Sequence, residues 1–288
     1  MSRGYQPPYS LTPAILRWVE QIGEQLGRYS VTAGAAMSPR LRRSNRVRSV
    51  HASLAIENNT LTLEQVSAVL AGKRVLGPPR EIQEVRNAFA AYEKMGQWDP
   101  VSRNDLLEAH VILMAGLLDR PGYFRSGGVG VVKGERVVHL APPARRVPEL
   151  VNDLLTWLKN SPDHPLITSS VFHCEFEFIH PFADGNGRLG RLWQTLILSQ
   201  WKPVLAYLPV ESVVHDRQQE YYDVLGQAQA GADATPFIEF MIEALSAALE
   251  EAVATDQVGD QVTDQVKSLL AIANGRELRA AELMAALN

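Results

Sequence analysis

Apolar residues recur at intervals of three and four along most of the chain, which is the spacing of one face of an α-helix. The first such stripe comprises Leu11, Ile15, Trp18, Val19, Ile22 and Leu26. The same spacing predicts further helices over residues 81–95, 104–113, 148–158, 192–200, 216–229 and 236–252. Thr62 and Gln65 have the spacing of a capping box, which predicts a helix start just before Val66. The pattern therefore predicts a mostly α protein.

One segment departs from this pattern. Residues 127–140 read GGVGVVKGERVVHL, with β-branched runs on both sides of a Lys-Gly-Glu connection. β-Branched runs favour strands, and a glycine in a short connection favours a tight turn. The segment therefore predicts a β-hairpin with Gly134 in its turn, and Pro142 and Pro143 end it.

The last part of the sequence has a repeat of its own. Residues 256–266 read DQVGDQVTDQV, so a helix would carry a valine at every fourth position along one stripe. Short helices are expected to follow, around Leu269 and over residues 277–287. So short a segment cannot bury a core of its own. The sequence is thus divided into an N-terminal helical region, a core and an appendage, at residues 1–100, 101–252 and 255–288.

Composition narrows the class of protein. The chain has 288 residues, of which 46% are hydrophobic, and a formal net charge of -4. This balance requires neither a nucleic acid nor a membrane surface as partner. The single cysteine, Cys174, excludes an internal disulfide framework, and no apolar run is long enough for a membrane span. We expect a cytoplasmic protein, with the arginines of residues 40–48 on a solvated helix face.

The most informative segment is the twelve residues that begin at His180, which read HPFADGNGRLGR. The proline after His180 disfavours a helical conformation there, so a preceding helix should end at that point. Gly185, Asn186 and Gly187 can adopt turn conformations in which successive N–H groups converge on an anion. An apolar face returns from Arg188 onward. A helix that begins directly behind a glycine-rich turn presents its N-terminus to phosphate.

The charged side chains of this segment suit the same chemistry. Arg188 and Arg191 stand three apart, so two guanidinium groups can point at one polyphosphate. Asp184 offers an oxygen ligand suited to magnesium, which bridges phosphates. Histidine side chains ordinarily titrate near neutral pH, which makes His180 the natural base of this segment. Together these groups indicate phosphoryl or nucleotidyl transfer.

This segment resembles the signature of the Fic family, and the resemblance extends from about Ser53 to Ala248. The resemblance implies an all-helical fold with a small hairpin flap. It also implies an enzyme that moves AMP from ATP onto Ser, Thr or Tyr hydroxyls of proteins. His180 would then be the base that deprotonates the target hydroxyl, and Asp184 the magnesium ligand. The implied ATP-binding positions are Phe182, which fixes the loop from the core, Gly185, Asn186 and Gly187, which bind phosphate oxygens, and Arg188 and Arg191, which bind the β- and γ-phosphates.

A local pattern disagrees with this assignment. Between Phe172 and Phe178, apolar and polar residues alternate, which taken alone indicates a strand. The family resemblance implies a helix that runs into His180. Because the whole motif outweighs one short window, the prediction for this segment is a helix, with Cys174 as a small buried apolar side chain.

Residues 53–58 read SLAIEN and resemble the inhibitory motif of the same family. Ser53, Glu57 and Asn58 fill its positions, and the first two share a helix face. The resemblance implies that Glu57 reaches Arg191 and occupies the place of the γ-phosphate. ATP would then bind with its α-phosphate misaligned for in-line attack, which costs orders of magnitude in rate.

The resemblance assigns two further parts of the sequence. The hairpin resembles a flap that clamps a target peptide through main-chain hydrogen bonds. Its candidate contact residues are Val129, Gly130, Val131 and Val132. Tyr221 and Tyr222 lie where the family often carries a tyrosine pair near the nucleotide, with core packing as the alternative. Arg217 stands where relatives commonly have an asparagine, so the nucleoside contacts depart from the pattern.

Three functions remain open at this level. The first is ATP-dependent and magnesium-dependent AMP transfer to a target protein, restrained by Glu57. In the second, the same site removes AMP, and Glu57 orients a water. In the third, the chain is a regulator, because residues 255–288 resemble the beginning of a winged-helix DNA-binding module; acids outnumber bases there, which argues against DNA. The expected partners are ATP, Mg²⁺ and a protein with a modifiable hydroxyl, and a homodimer and DNA are the partners left open.

Overall fold

Two helices packed against each other, joined by a short loop, form the centre of the structure. The structure is a computed structural model and describes residues 5–32, 37–128, 130–133 and 136–273. The N-terminal helices are α1 (Pro13–Thr32), α2 (Pro39–Ile56), α3 (Leu63–Leu70), α4 (Pro79–Lys94) and α5 (Arg103–Leu113). The later helices are α6 (Val147–Asn160), α7 (Pro165–Ile179), α8 (Asn186–Trp201), α9 (Val210–Asp216), α10 (Gln218–Gly231) and α11 (Thr235–Ala273).

The central pair is α7 and α8. Most residues of both helices are buried, since α7 is also covered by α6 and α11 and α8 also packs against α5. Burial on all sides explains why α7 lacks an amphipathic pattern. The alternation around Phe176 therefore does not produce a strand, and the predicted helix is confirmed.

Local sequence sets both ends of the loop between these helices. Pro165 starts α7, and the His164 side chain accepts a hydrogen bond from the Leu166 N–H at 3.2 Å. α7 ends at His180, which has the left-handed conformation (φ 47°). Gly185 (φ 84°) precedes α8 in a conformation that favours glycine.

The N-terminal helices lie against one side of this centre. α2 contacts α4 and α9, and it ends at Ile56, after which Asn58 takes a positive φ of 67°. Asparagine is one of the few residues other than glycine that adopts this conformation readily. The predicted capping box of α3 is confirmed, because the Thr62 side chain accepts from the Gln65 N–H at 3.3 Å and the Gln65 side chain accepts from the Thr62 N–H at 2.9 Å.

Strands β1 (Gly130–Lys133) and β2 (Arg136–Leu140) pair antiparallel. Gly130 lies opposite Leu140, and the register shifts between Val131 and Val132. Val129 and the predicted turn residue Gly134 lie outside the described residues.

The last helix differs from its prediction. The sequence pattern ended a helix at 252 and began a separate appendage at 255, whereas α11 runs without a break from Thr235 to Ala273. Residues 253–273 contain no proline, and their one glycine costs a helix only about 1 kcal/mol. Residues 274–288, where the rest of the appendage was predicted, lie outside the described residues. Among the helices of the described part, none combines the length and apolar character of a membrane span.

The basic stretch of α2 also differs in part from its prediction. Arg40 and Arg43 are exposed, as expected for a solvated face. Arg46 is buried instead, with its guanidinium carbon 4.7 Å from the ring centre of Tyr92 and 5.2 Å from that of Tyr207. Stacking on aromatic faces compensates a buried guanidinium, so this arginine fixes α2 in place.

Candidate active site

Arg125, which lies outside the motif, fixes the backbone at His180. Its Nε donates to the His180 carbonyl oxygen at 2.7 Å, and its Nη2 donates to the carbonyls of Ile179 at 3.2 Å and Pro142 at 2.6 Å. Its own backbone N–H donates to the Pro181 carbonyl at 3.0 Å. Hydrogen bonds that involve a charged group are among the stronger ones in proteins. Arg125 therefore ties the His180 loop to the segment that follows the hairpin.

Phe182 and Asn186 close the loop from inside. Phe182 is fully buried and stacks on the His110 ring, with the ring centres 3.7 Å apart. The Asn186 side chain accepts from the Phe182 N–H and donates to the Phe182 carbonyl oxygen, both at 2.9 Å. Because this amide is used within the loop, a phosphate contact of Asn186 would have to come from its backbone N–H. Because Phe182 has no exposed surface, any effect on a nucleotide would have to come through the loop that it anchors.

His110 supports the same loop from α5. Its Nδ1 accepts the Gly122 N–H at 2.8 Å, so its Nε2 carries the hydrogen and donates to the Asp184 carbonyl oxygen at 3.0 Å. Burial lowers the pKa of His110 to about 4, which keeps the ring neutral at physiological pH. His110 is thus a fixed structural donor.

Opposite charges alternate around Asp184. Its Oδ1 lies 3.0 Å from Arg188 Nη2, and its Oδ2 lies 3.2 Å from Arg80 Nη2. Glu84 of α4 lies 3.4 Å from Arg188 Nη1 and 3.5 Å from Arg80 Nε. Arg188 is buried, whereas the Asp184 side chain is 41% exposed and open to solvent.

A single exposed carboxylate is compatible with magnesium. Mg²⁺ keeps several waters and is commonly held by one or two carboxylates together with substrate phosphates. Asp184 lies directly before the N-terminus of α8, where an anion is favoured. Within the described part of the chain, no three His, Cys, Asp or Glu residues cluster as a metal site, so a metal here would depend on phosphate oxygens.

Arg191 joins the motif to α2. Its Nε donates to Ser53 Oγ at 3.1 Å, and its Nη2 donates to the Ser53 carbonyl oxygen and to Glu57 Oε1, both at 2.8 Å. The carboxylate of Glu57 also lies over the first turn of α8. A Cβ atom built on Gly187 would stand only 2.2 Å from Glu57 Oε1. Position 187 therefore has to be glycine for the carboxylate to lie there.

Burial and neighbouring charges shift the pKa values of Arg191 and Glu177. Burial opposes the charge of Arg191, but its pKa is raised overall by the nearby Glu57 carboxylate. Glu177 lies on α7 nearby and is also buried. Burial raises the pKa of Glu177 to about 8, the negative charge of Glu57 adds to the increase, and Arg191 opposes it.

The tyrosine pair is divided between core and surface. Tyr221 is buried, and its hydroxyl lies 3.1 Å from His173 Nε2. Tyr222 is 42% exposed, and its hydroxyl donates to the Ile56 carbonyl at the end of α2 at 3.2 Å. Arg217 pairs with acids of α10 and α11. For Tyr221 the geometry corresponds to core packing, and Tyr222 contacts the segment that carries Glu57.

Several site residues carry no signal in the sequence pattern. Arg125, Arg80 and Glu84 act through contacts with residues 55 to 104 positions away. His110 looks like any helical histidine until the fold stacks it on Phe182. The family resemblance locates the motif, but it does not identify these supporting residues.

The fold and site define an α-helical domain in which a short loop joins a histidine at the end of one helix to the glycine-rich N-terminus of the next. The Fic/DOC family profile matches residues 100–198. A crystal structure of a Fic family protein from Desulfovibrio desulfuricans G20 is 64% identical, with a TM-score of 0.86, over 98% of this chain and 86% of that one. The chain belongs to the Fic family.

Two curated relatives carry names that state an activity. "Protein adenylyltransferase Fic" of Nematostella vectensis is 28% identical over 77% of this chain and 52% of its own length. "Protein adenylyltransferase fic-1" of Caenorhabditis elegans is 31% identical over 70% of this chain and 40% of its own length. The chain thus spans about half the length of these relatives or less.

The two hydrogen bonds between the Asn186 side chain and the Phe182 backbone, here called the clasp, generate a stability prediction. Asn186→Ala leaves a buried N–H and a buried carbonyl of Phe182 without partners, so we expect a loss of about 1–3 kcal/mol in the free energy of unfolding. Urea denaturation measures it, with Asn152→Ala on the exposed face of α6 as the matched control. Equal stability of the two variants would show that the clasp contributes nothing.

Proposed function

We propose that this protein transfers AMP from ATP to a hydroxyl group of a Ser, Thr or Tyr side chain on a target protein. The observation that carries the proposal is the arrangement of one loop. His180 caps α7, Gly185 and Gly187 stand at the N-terminus of α8, and Arg188 and Arg191 are buried one turn apart on α8. We infer that these groups surround a single anion-binding position. The names of the curated relatives support the same activity.

The proposed reaction assigns each group one task. His180 takes the proton of the target hydroxyl, and the hydroxyl oxygen attacks the α-phosphorus. The bond between the α-phosphorus and the oxygen that bridges to the β-phosphate breaks, and pyrophosphate leaves. The N–H groups of Asn186 and Gly187, together with Arg188 and Arg191, stabilise the charge that develops on the departing phosphates. The Gly185 N–H donates to Asp184 Oδ1 at 2.6 Å, so a phosphate contact from it requires that this hydrogen bond be released. A bound Mg²⁺ would be held by Asp184 and would neutralise phosphate charge.

In this proposal Glu57 inhibits the enzyme. Its 2.8 Å contact with Arg191 and its position against Gly187 support competition with the γ-phosphate for the same guanidinium and helix turn. Ser53 keeps Arg191 in place from the other side. Because Glu57 is 34% exposed, it can be displaced without unfolding the core.

The hairpin is proposed to bind the target backbone. β1 and β2 form a two-stranded sheet, so an extended peptide could add to a free edge by main-chain hydrogen bonds. This mode would leave the sequence of the target weakly specified. The proposed contact residues in β1 are Gly130, Val131 and Val132.

The base assignment predicts the behaviour of His180→Ala. In a Glu57→Gly background, AMP incorporation should fall by about 10²- to 10⁴-fold, because a general base typically contributes that much. ATP affinity should remain within about twofold, since this side chain contributes no phosphate contact. Intact-mass analysis and calorimetry measure the two quantities, with His215→Ala on α9 as the matched control. A rate equal to that of the control would exclude the base assignment.

The hairpin assignment predicts selective loss of target modification. Proline at Gly130, Val131 or Val132 removes one strand N–H, so at least one of these variants should lose target labelling while ATP affinity holds. Target labelling is measured by incubating each variant with a lysate and labelled ATP. For each variant, the proline variant at the neighbouring strand position serves as the control. Unchanged labelling in all three folded variants would exclude the hairpin.

The inhibition assignment predicts a gain of activity. Glu57→Gly should raise AMP incorporation about tenfold or more, since about 1.4 kcal/mol of removed competition is tenfold. Arg191→Ala in the same chain should cancel the gain, and Glu64→Gly on the exposed face of α3 should give none. Equal incorporation by wild type and Glu57→Gly would contradict inhibition.

Comparing AMP incorporation and AMP release between wild type and Glu57→Gly separates the other two functions. If Glu57 orients water for AMP removal, wild type should release AMP from a pre-modified protein and Glu57→Gly should not. If the chain acts only as a regulator, neither form should add or remove AMP. Incorporation by Glu57→Gly without release by wild type supports transfer alone.

A further inference from the structure

Glu177 is a buried acid to which the proposed reaction gives no task. It lies on α7 one turn before His180, and its Oε2 is 3.7 Å from His180 Nδ1. Its Oε1 has no hydrogen-bond partner among the residues that the structure describes. The side chain lies against α8 at Gly190, where a Cβ atom would stand 3.0 Å from Oε1. The absence of a side chain at position 190 therefore makes room for this carboxyl group.

Burying a carboxyl group with so few partners is costly. An unpaired buried polar group destabilises a fold, and an apolar side chain of similar size would avoid that cost. The groups around Glu177 are His173 and Cys174 on its own helix, Arg191 on α8, Tyr221 on α10 and Glu57 at the end of α2. Arg191 is engaged by Ser53 and Glu57, so it does not neutralise Glu177 fully. The acid is retained beside His180 at a cost to stability, which is typical of a functional residue.

We propose that Glu177 is a positioning residue for His180, an inference that rests on the proposed AMP transfer. In the reactive state its carboxylate accepts the hydrogen of His180 Nδ1, so that Nε2 is the ring nitrogen left to accept the proton of the target hydroxyl. A small side-chain rotation shortens 3.7 Å to hydrogen-bond distance, and catalytic hydrogen bonds are often long before substrate binds.

The Glu177 carboxylate also stabilises the positive charge that forms on His180. When the hydroxyl proton moves to Nε2, His180 becomes a cation, and an ionised Glu177 beside Nδ1 stabilises it. The hydroxyl oxygen forms its bond to the α-phosphorus, the bond to the bridging oxygen breaks, and pyrophosphate carries away the electron pair. Glu177 itself neither gains nor loses a proton in this step. It therefore contributes most when it is ionised beforehand.

The test is Glu177→Gln in the Glu57→Gly background, where activity is measurable. Gln has the same shape but no charge, so kcat should fall about tenfold or more, a fraction of the 10² to 10⁴ that the base contributes. The KM for ATP should stay within about threefold, because Glu177 contacts no proposed phosphate position. The ratio of parent to variant kcat should grow with pH, as the ionised fraction of Glu177 grows. This growth should begin at a lower pH than the wild-type pKa indicates, because Glu57→Gly removes a charge that raises the pKa of Glu177.

A stability measurement separates positioning from a structural role. The pKa of Glu177 in the folded protein, about 8, lies above its ordinary value, so the folded state holds the proton more tightly. Glu177 should therefore contribute a decline in stability as pH rises from the ordinary carboxyl range towards 8, and Glu177→Gln should remove that contribution. The matched control for kcat is Glu175→Gln, two positions away, where the carboxylate accepts a hydrogen bond from the Tyr5 hydroxyl. Burial also raises the pKa of Glu175, so this variant should change the pH dependence of stability without changing kcat.

Lower kcat together with an equal or higher melting temperature supports the inference. Unchanged kcat in the folded variant overturns it, as does a loss of kcat that is independent of pH and accompanied by a lower melting temperature. Failure of the proposed function has a different signature, because His180→Ala would then match its parent in the same background. The two failures are thus distinguishable.

Discussion

Arg191 is a buried cation, and the balance of its charge governs the candidate site. It donates three hydrogen bonds to the C-terminal end of α2, two to Ser53 and one to Glu57. An uncompensated buried charge is strongly destabilising, so some anion has to stand beside this guanidinium. In the structure that anion is Glu57, and in the proposed reaction it is the γ-phosphate. The proposed competition between them would link the fold of the N-terminal helices to the chemistry of the loop.

Other parts of the site have the same dependence on exchangeable charge. Arg188 shares Asp184 with Arg80 and approaches Glu84, so both proposed phosphate-binding arginines are held by carboxylates. Such pairs keep the guanidinium groups oriented before a nucleotide arrives, and preorganised donors cost little at the moment of reaction. The backbone of the loop is held separately, by hydrogen bonds from Arg125, Asn186 and His110.

The parts of the fold that depend on local chemistry could be predicted from the sequence. The end of α7 at His180 follows from the proline after it, and the capping box at Thr62 follows from residue spacing. The contact between Glu57 and Arg191, which are 134 positions apart, was predicted through the family resemblance alone. Arg125 was not predicted, because its partners come together only in the fold. The length of α11 was missed because the change of residue pattern near 255 indicated the start of an appendage, whereas a segment without proline can continue the helix.

Nucleotide binding tests the competition at Arg191 most directly. Calorimetry with ATP and ADP on wild type and Glu57→Gln isolates the γ-phosphate, since the two ligands differ in that group alone. If Glu57 holds the γ-phosphate position, wild type should bind both nucleotides about equally. Glu57→Gln should then prefer ATP by about tenfold or more, the equivalent of about 1.4 kcal/mol. An ATP-to-ADP preference that is the same in both proteins would contradict the account.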